Sequence, residues 1–170
     1  GHARSSYFGT IDTAGFPKDA YYVVQAAWLD PKTHPMVHLF PYWDFNEGQL
    51  IDLCACTNAH SVELFVNGES LGRKVLDSAK GRTASWQAAY HPGSVKVVAY
   101  DENGKVVATD EQDSFDDSAM VCLQADRKTI SGDGRELAFI TITTRDKNGN
   151  PVRNANDCVT VRVNGAGVLG

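Results

Sequence analysis

Apolar positions occur in short runs through most of the chain. Between residues 34 and 115 these runs are about four to eight residues long and are separated by turn signals such as Pro92-Gly93. Runs of this length, bounded in this way, are typical of β-strands. The predicted strands are MVHLF, LIDLCACT, SVELFVNG, ESLGRKVL, TASWQAAY and SVKVVAYD. Many short strands at nearly regular intervals predict an all-β protein built on a β-sandwich.

Tight turns join two pairs of these runs. VELFVNGESLGRKV contains Asn67-Gly68, a dipeptide that accepts the positive φ angles of a primed two-residue turn. KVVAYDENGKVVATD repeats the arrangement around Asn103-Gly104. Both segments are therefore predicted to be β-hairpins.

Residues 118–170 have a second strand pattern, in MVCLQADRKTI, LAFITITTRDKNGNPV and CVTVRVNGAGVLG. Within LAFITITTRD, Leu137 and Phe139 fall on one face of a strand, and Ile140 and Ile142 fall on the other. This segment is about half as long as the ~100 residues of an immunoglobulin-like sandwich. The pattern predicts an immunoglobulin-like domain that is truncated.

The first thirty residues have a different pattern. SSYFGTIDTAGFPKDAYYVVQAAW predicts a strand over Tyr7–Ile11, a Gly-Phe-Pro turn and a helix that begins after Pro17. Proline is tolerated in the first turn of a helix, and Asp19 suits the positive end of the helix dipole. LDPKTHP follows as a linker. One strand and one helix resemble the last unit of a larger α/β domain, so we expect an excerpt of a longer protein with parts 1–33, 34–117 and 118–170.

Composition excludes some classes of partner. The chain has 170 residues, with 16 Lys and Arg against 21 Asp and Glu, and a formal net charge of −5. Nucleic-acid binding needs a basic face that neutralises phosphates, so no nucleic-acid partner is expected. No apolar run approaches the ~18–20 residues of a membrane span, so no membrane partner is expected either. The residues do not specify a cell compartment.

Cysteine and histidine positions do not predict a metal site. Cys54 and Cys56 point to one face of a predicted strand, and no second ligand pair accompanies them. We interpret them as buried thiols that behave as small apolar groups. Cys122 and Cys158 lie in separate predicted strands, and the sequence leaves open whether they form a disulfide. No two histidines have a ligand spacing, and neither a metal nor a cofactor is predicted.

Three successive stretches resemble glycoside hydrolase family 2, in its bacterial β-galactosidase branch. SSYFGTIDTAGFPKDAYYVVQAAW resembles the last strand and helix of the family's TIM-barrel catalytic domain. HLFPYWDFNEGQLIDLCACTNAHSVELFVNGESLG and ASWQAAYHPGSVKVVAYDENGKVVATD resemble the β-sandwich domain that follows the barrel. ADRKTISGDGRELAFITITTRDKNGNPVRNANDCVTVRVNGAGVLG resembles the first part of the immunoglobulin-like domain that comes next. The resemblance covers nearly the whole chain in the family's order.

The resemblance implies a function for the parent protein rather than for these residues. The family hydrolyses β-galactosides, or related glycosides such as β-glucuronides, with two glutamates held ~5 Å apart. Both glutamates lie on barrel strands upstream of the last one, so no catalytic residue is expected here. The implied role is a non-catalytic accessory region that supports the barrel of the same parent chain, meets glycan only through that parent, and contributes to homo-oligomer contacts. A periplasmic or extracellular location is compatible with this.

A second class of function fits the same strand pattern. A free-standing carbohydrate-binding or adhesin-like β-sandwich would show similar strands and hairpins. Such a module would not require the leading strand, turn and helix, and that segment distinguishes the two hypotheses. As part of an excerpt, its apolar face, formed by Tyr21, Val24 and Trp28, should be poorly packed or covered by the sandwich.

Asp12 and Phe16 are the candidates for a substrate-side loop. If Tyr7–Ile11 is the last barrel strand, the residues that follow form its βα loop, and barrel substrates lie at the carboxyl ends of the strands. The structural alternative is that Asp12 caps a turn and Phe16 plugs the barrel mouth. We favour the alternative, because most loop residues of a barrel never meet substrate.

An aromatic segment is the second candidate. FPYWDFNEGQ contains Phe40, Tyr42, Trp43 and Phe45, whose rings could stack on sugars or pack against a neighbouring domain. We favour the interdomain interpretation, with Trp28 joining from the helix.

Two further side chains are assigned structural roles. Trp86 alternates with polar neighbours and is predicted to lie in the sandwich core, while Glu63 is expected to point outward from its strand.

Overall fold

The computed structural model describes residues 8–12, 15–165 and 167–168. The chain divides into two compact units, one ending at Ser114 and one beginning at Phe115. The elements are α1 Asp19–Trp28, β1 Val37–Phe40, β2 Leu50–Thr57, β3 Ser61–Val66, β4 Glu69–Val75, β5 Thr83–Ala89, β6 Ser94–Tyr100, β7 Val106–Asp113, β8 Met120–Ala125 and β9 Ile140–Arg145. Helix α1 has ten residues, which is too short to cross a bilayer. Among the described residues, no helix is long and apolar enough to span a membrane.

The first unit is a β-sandwich, as the strand spacing predicts. One sheet has the order β1-β2-β5 and the other has the order β4-β3-β6-β7, with antiparallel neighbours throughout. Alternate side chains of β2, β5 and β6 point into the core, as the two-residue period of a strand requires. The buried core consists of Leu39, Trp43, Ile51, Leu53, Ala55, Val62, Leu64, Ala84, Trp86, Tyr90, Val95 and Val97.

Trp86 confirms its predicted place in that core. Its side chain is 7% exposed and its indole Nε1 donates a hydrogen bond to the carbonyl oxygen of Gly72 at 3.2 Å. A buried indole needs such an acceptor for its N–H. Glu63 also lies as predicted on the outer face of its strand, where its carboxylate accepts hydrogen bonds from Ser70 and Tyr100.

Both predicted hairpins form. The β3–β4 turn has positive φ angles at Asn67 and Gly68, 49° and 84°, which are those of a type I′ turn. The Asn67 side chain also accepts a hydrogen bond from the Ser94 N–H at 2.8 Å and donates one to the Pro92 carbonyl. The turn of one hairpin is thereby fixed to the start of β6.

The β6–β7 turn and the turn after β9 use the same device. Asp101 Oδ1 accepts hydrogen bonds from the backbone N–H groups two and four residues later, at 2.9 Å each. Asp146 Oδ1 does the same at 2.9 and 2.8 Å. In each turn the glycine three residues after the aspartate, Gly104 or Gly149, has a positive φ. The shared pattern Asp-x-Asn-Gly-x therefore encodes one turn geometry twice.

The second unit contains one two-stranded antiparallel sheet among its described residues, formed by β8 and β9 with Met120 opposite Arg145. The strand predicted over residues 158–170 is wrong for the described part, since residues 158–165 and 167–168 form no strand. Val159, Val161 and Val163 keep a strand-like alternation but are 43–45% exposed. Alternation alone does not make a strand, because a strand needs a neighbour that takes up its backbone hydrogen bonds.

The strand predicted over Tyr7–Ile11 is also wrong where it can be judged. Tyr7 lies outside the described residues, and residues 8–11 make only one isolated bridge, between Ile11 and Pro17. The chain instead folds back on itself, with the Lys18 N–H donating to the Thr10 carbonyl at 2.8 Å. The helix of the predicted strand–helix unit forms as α1, whereas the barrel remnant as a whole is not seen.

Candidate functional site

The turn before α1 is held by Asp12. Its Oδ1 accepts a hydrogen bond from the Phe16 N–H at 2.9 Å, and its own N–H donates to the Phe16 carbonyl at 2.9 Å. The Phe16 side chain is 49% exposed. The hydrogen bonds of Asp12 therefore hold a turn, which is the structural role favoured for Asp12 from the sequence. Whether Asp12 or Phe16 meets substrate stays a prediction.

Helix α1 packs on the outer face of the sheet that contains β1 and β2. Ala26 is fully buried in this contact region, and the Tyr22 ring stacks on the His38 imidazole with a centroid distance of 3.7 Å and an interplanar angle of 21°. The small side chain at position 26 lets the helix approach the sheet closely. The helix is thus attached to the sandwich by one face.

His38 connects three elements. Its Nε2 lies 3.1 Å from Asp19 Oδ1 on α1, and its Nδ1 lies 3.2 Å from Asp110 Oδ2 on β7. The same Asp110 oxygen accepts a hydrogen bond from the Leu39 N–H at 2.9 Å, which links the two sheets. An imidazole can donate to two carboxylates only when both of its nitrogens carry protons. The geometry therefore fits the imidazolium form.

The charges of this cluster shift its pKa values in opposite directions. Burial lowers the pKa of His38, but hydrogen bonds and charge from Asp110 and Asp19 outweigh it, so the pKa lies above its usual value. Burial raises the pKa of Asp110, but hydrogen bonds from His38 and from the Leu39 N–H outweigh it, so that pKa lies below its usual value. Each shift favours the charged form of its group.

Asn58 fixes the linker that leaves α1. Its side chain is 2% exposed and accepts a hydrogen bond from the Met36 N–H at 2.9 Å. Its Nδ2 donates to the carbonyl oxygens of Leu29 at 3.2 Å and of His34 at 2.9 Å. Thr57 Oγ1 donates to the Met36 carbonyl at 2.6 Å. These contacts tie residues 29–36 to the turn between β2 and β3.

The buried-thiol interpretation is confirmed for Cys56, whereas Cys54 is only partly buried. Burial raises the pKa of Cys54, and burial together with the neighbouring Cys54 raises the pKa of the Cys56 thiol to about 12. Cys56 is fully buried, and all four cysteines are free thiols. The pairing of Cys122 with Cys158 that the sequence leaves open is thus not made.

The aromatic segment is divided between core and surface. Trp43 is fully buried, its ring lies 4.9 Å from that of Tyr90, and its Nε1 donates to the His91 carbonyl at 3.2 Å. Phe45 is partly buried against the core, whereas Tyr42 is 39% exposed and stacks on Phe45. Phe40 is half-buried near His38. Trp43 therefore belongs to the sandwich core and presents no face to a sugar.

The apolar face of α1 is only partly covered, and whether Trp28 joins an interdomain interface stays a prediction. The Trp28 side chain is 83% exposed, while Tyr21 and Val24 are half-buried. The sandwich covers the face of α1 that carries Tyr22 and Ala26 and leaves Trp28 uncovered. Trp28 therefore makes no interface with the sandwich.

Sequence reasoning missed His38 and Asn58 as the residues that hold α1 and its linker. His38 stands in a strand and Asn58 in a turn, and their partners Asp110 and Leu29 are far away in the sequence. The available sequence signal for His38 was a histidine at a predicted strand position. The structure shows that this position lies on the face covered by α1. Among the described residues, no group of three or more His, Cys, Asp or Glu is placed to hold a metal ion.

Each of the two units is similar to a known protein domain. Residues 48–108 match the model of a domain of unknown function (DUF4982), and residues 121–170 match glycoside hydrolase family 2 C-terminal domain 5. A β-galactosidase of Bacteroides ovatus is 44% identical over 170 residues, which is 98% of this chain and 19% of that protein. A β-glucuronidase of Formosa agariphila is 24% identical over 143 residues, which is 83% of this chain and 14% of that protein.

A solved structure shares the fold. The crystal structure of a β-glycosidase from Bacteroides vulgatus matches with a TM-score of 0.78 and 38% identity, over 85% of this chain and 18% of that one. The chain thus spans about a fifth of the length of the relatives it matches.

Proposed function

We propose a structural role for this chain, which has the sequence and the fold of the C-terminal region of glycoside hydrolase family 2 enzymes. In this proposal it is the non-catalytic accessory region of a retaining β-glycosidase of carbohydrate metabolism, with a β-galactoside as the first choice of substrate. Helix α1 is the joint between the catalytic barrel of the parent chain and the sandwich.

The two faces of α1 carry this proposal. One face is held on the sandwich by the Tyr22–His38 stack and by Asp19. Away from that face, Trp28 is 83% exposed, and Phe8 and Phe16 of the preceding segment are 91% and 49% exposed. Large exposed apolar side chains are candidates for an interaction surface. The occupant we assign to them is the catalytic barrel, which precedes the helix in the order that the resemblance implies.

The contacts of four acidic side chains support a non-catalytic role. A retaining glycosidase needs two carboxyl groups ~5–5.5 Å apart facing one sugar. Asp19 and Asp110 are engaged by His38, Glu47 contacts His91, and Glu63 is bound by Ser70 and Tyr100. The burial of Trp43 also removes the main stacking face of a free-standing sugar-binding module. We also propose that glycan is bound through the parent enzyme and that this region contributes to contacts between copies of that enzyme.

Trp28→Ser tests the joint. In the 170-residue chain we expect the free energy of unfolding to change by no more than ~0.5 kcal/mol, because Trp28 is exposed there. In the longer enzyme that contains the chain, we expect thermal unfolding to show a loss of about 2 kcal/mol or more, because a buried interface tryptophan is removed. Val75→Ser, at another exposed apolar position, is the matched control. Equal effects of Trp28→Ser in both proteins would refute the joint.

A further inference from the structure

A polar groove lies at one end of the sandwich in the first unit. Its volume is about 530 Å³, within the ~300–1,000 Å³ of small-molecule sites. Four segments form it: the linker after α1, the β2–β3 turn, the β4–β5 loop and the β6–β7 turn. Loops gathered at one end of a sandwich are a common place for binding sites.

Hydrogen bonds hold these four segments to one another. The His60 N–H donates to the Tyr100 carbonyl at 3.1 Å, and the Leu76 N–H donates to the His60 carbonyl at 3.0 Å. Arg82 donates to the Asn58 carbonyl at 3.2 Å, while the Asn58 side chain holds the linker. Asp101 fixes the β6–β7 turn through its own backbone N–H contacts. The groove is therefore formed before any ligand arrives, which lowers the entropy cost of binding.

The groove combines apolar and charged side chains. Apolar contact area comes from residues such as Pro35, Leu76 and Val107. Its polar lining includes three cations, Lys32, Arg82 and Lys105, against two carboxylates, Asp101 and Glu102. One of those carboxylates is already engaged by its own turn. In a chain with fewer basic than acidic residues, this is a local excess of positive charge.

The lining also indicates which kind of ligand would bind. No Phe, Tyr or Trp lines the groove among the residues that the structure describes. A neutral sugar ring would therefore lack the aromatic face on which saccharides usually stack. Affinity has to come from hydrogen bonds, and those to a charged partner are roughly twice as strong as those between neutral groups.

We propose that this groove binds a short acidic saccharide, one that carries a uronic acid carboxylate. Lys32, Arg82 and Lys105 bind the carboxylate, and Ser78, Glu102 and Asn103 bind hydroxyl groups. This binding activity is separate from the structural role of α1, and it holds whether or not the chain belongs to a hydrolase.

An NMR titration of the 170-residue chain tests the proposal. The probes are trigalacturonate and a neutral galactose trisaccharide. Backbone amide shifts are expected with trigalacturonate only, at His60, Ser78 and residues 102–105. The affinity should fall as salt rises from about 0.05 to 0.5 M, because added ions screen exposed charges.

Substitutions identify the groups responsible. Lys32→Gln combined with Lys105→Gln should weaken trigalacturonate binding about five- to tenfold, the size expected for two exposed charge contacts. Lys96→Gln is the control, because Lys96 lies on β6 outside the groove and pairs with Glu111. The proposal is overturned if the neutral trisaccharide binds equally well. It is also overturned if the double variant binds like the control, or if no shift occurs at about 10 mM trigalacturonate.

Discussion

Replacement of His38 should weaken the attachment of α1 and the link between the two sheets. His38→Ala removes the hydrogen bonds to Asp19 and Asp110 and the stack on Tyr22. The contact to Asp19 contributes only ~0.5 kcal/mol, because that carboxylate is 63% exposed. The Asp110 contact contributes ~1–2 kcal/mol and the stack ~0.5–1 kcal/mol. We expect a loss of about 2–3.5 kcal/mol in the free energy of unfolding.

The His38→Phe variant separates the two contributions. Phenylalanine keeps a ring for Tyr22 to stack on but cannot donate to either carboxylate. It should recover ~0.5–1 kcal/mol relative to His38→Ala. Urea unfolding followed by circular dichroism measures both values. A variant whose free energy of unfolding is about 2 kcal/mol below that of the unsubstituted chain should have a melting temperature lower by on the order of 10 °C.

The same cluster predicts how stability depends on pH. The pKa of His38 is raised in the folded protein, so its contribution is complete below the unfolded value of ~6.5 and is lost as pH rises through the folded value. The pKa of Asp110 is lowered, so its contribution is complete above ~3.9 and is lost as pH falls through the folded value. Stability from this pair should be greatest between those limits.

The dependence of the free energy of unfolding on pH also tests this account of His38. His38→Phe should remove the loss of stability above pH ~6.5, whereas His91→Gln should leave it unchanged. His91 pairs with Glu47, but both side chains are about 60% exposed, and such a pair contributes little. Other groups that face His38 are Tyr22 and Cys56, and the thiol with a pKa of about 12 stays neutral in this range. An unchanged slope in His38→Phe would show that this reasoning is wrong.

Three further results are expected. Asn58→Ala should cost about 2–4 kcal/mol in urea unfolding, because it removes the three hydrogen bonds by which this buried amide holds the linker. The exposed Asn46→Ala should cost under ~0.5 kcal/mol. Gly93→Ala should cost ~1–3 kcal/mol more than Gly81→Ala in the free energy of unfolding. The two glycines have similar φ angles of 139° and 132°, but only a Cβ at position 93 would clash with Asn67 Oδ1, at 1.9 Å. A thiol reagent at pH 8 should label exposed Cys158 in the folded chain and Cys56 only after unfolding, because burial raises the pKa of Cys56; equal labelling rates would contradict this.

The sandwich could be predicted from the sequence because its signals are local. The strand LIDLCACT coincides with β2, and Asn67-Gly68 specifies the hairpin turn by its backbone conformation alone. Pro17 and Asp19 likewise placed the start of α1 to within two residues. Each of these elements is encoded within about ten neighbouring residues.

The rest depends on residues that are distant in the sequence. Residues 8–11 and 158–165 have strand-like patterns, but no strand among the described residues takes up their backbone groups, and they form no strand. The His38–Asp110 contact joins positions that no short pattern relates. Trp43 stands in an aromatic cluster that favours a surface role, yet tertiary packing buries it completely. The His38–Asp110 contact and the burial of Trp43 arise only from the arrangement of the two sheets.

Hydrolysis is the measurement that tests the central claim most directly. The 170-residue chain and the proposed parent enzyme would be compared on a chromogenic β-galactoside at equal molar concentration. The proposed function predicts activity from the parent enzyme and none from the chain, because it places the two catalytic carboxylates in the barrel. Hydrolysis by the 170-residue chain would contradict the claim that this region is a non-catalytic support.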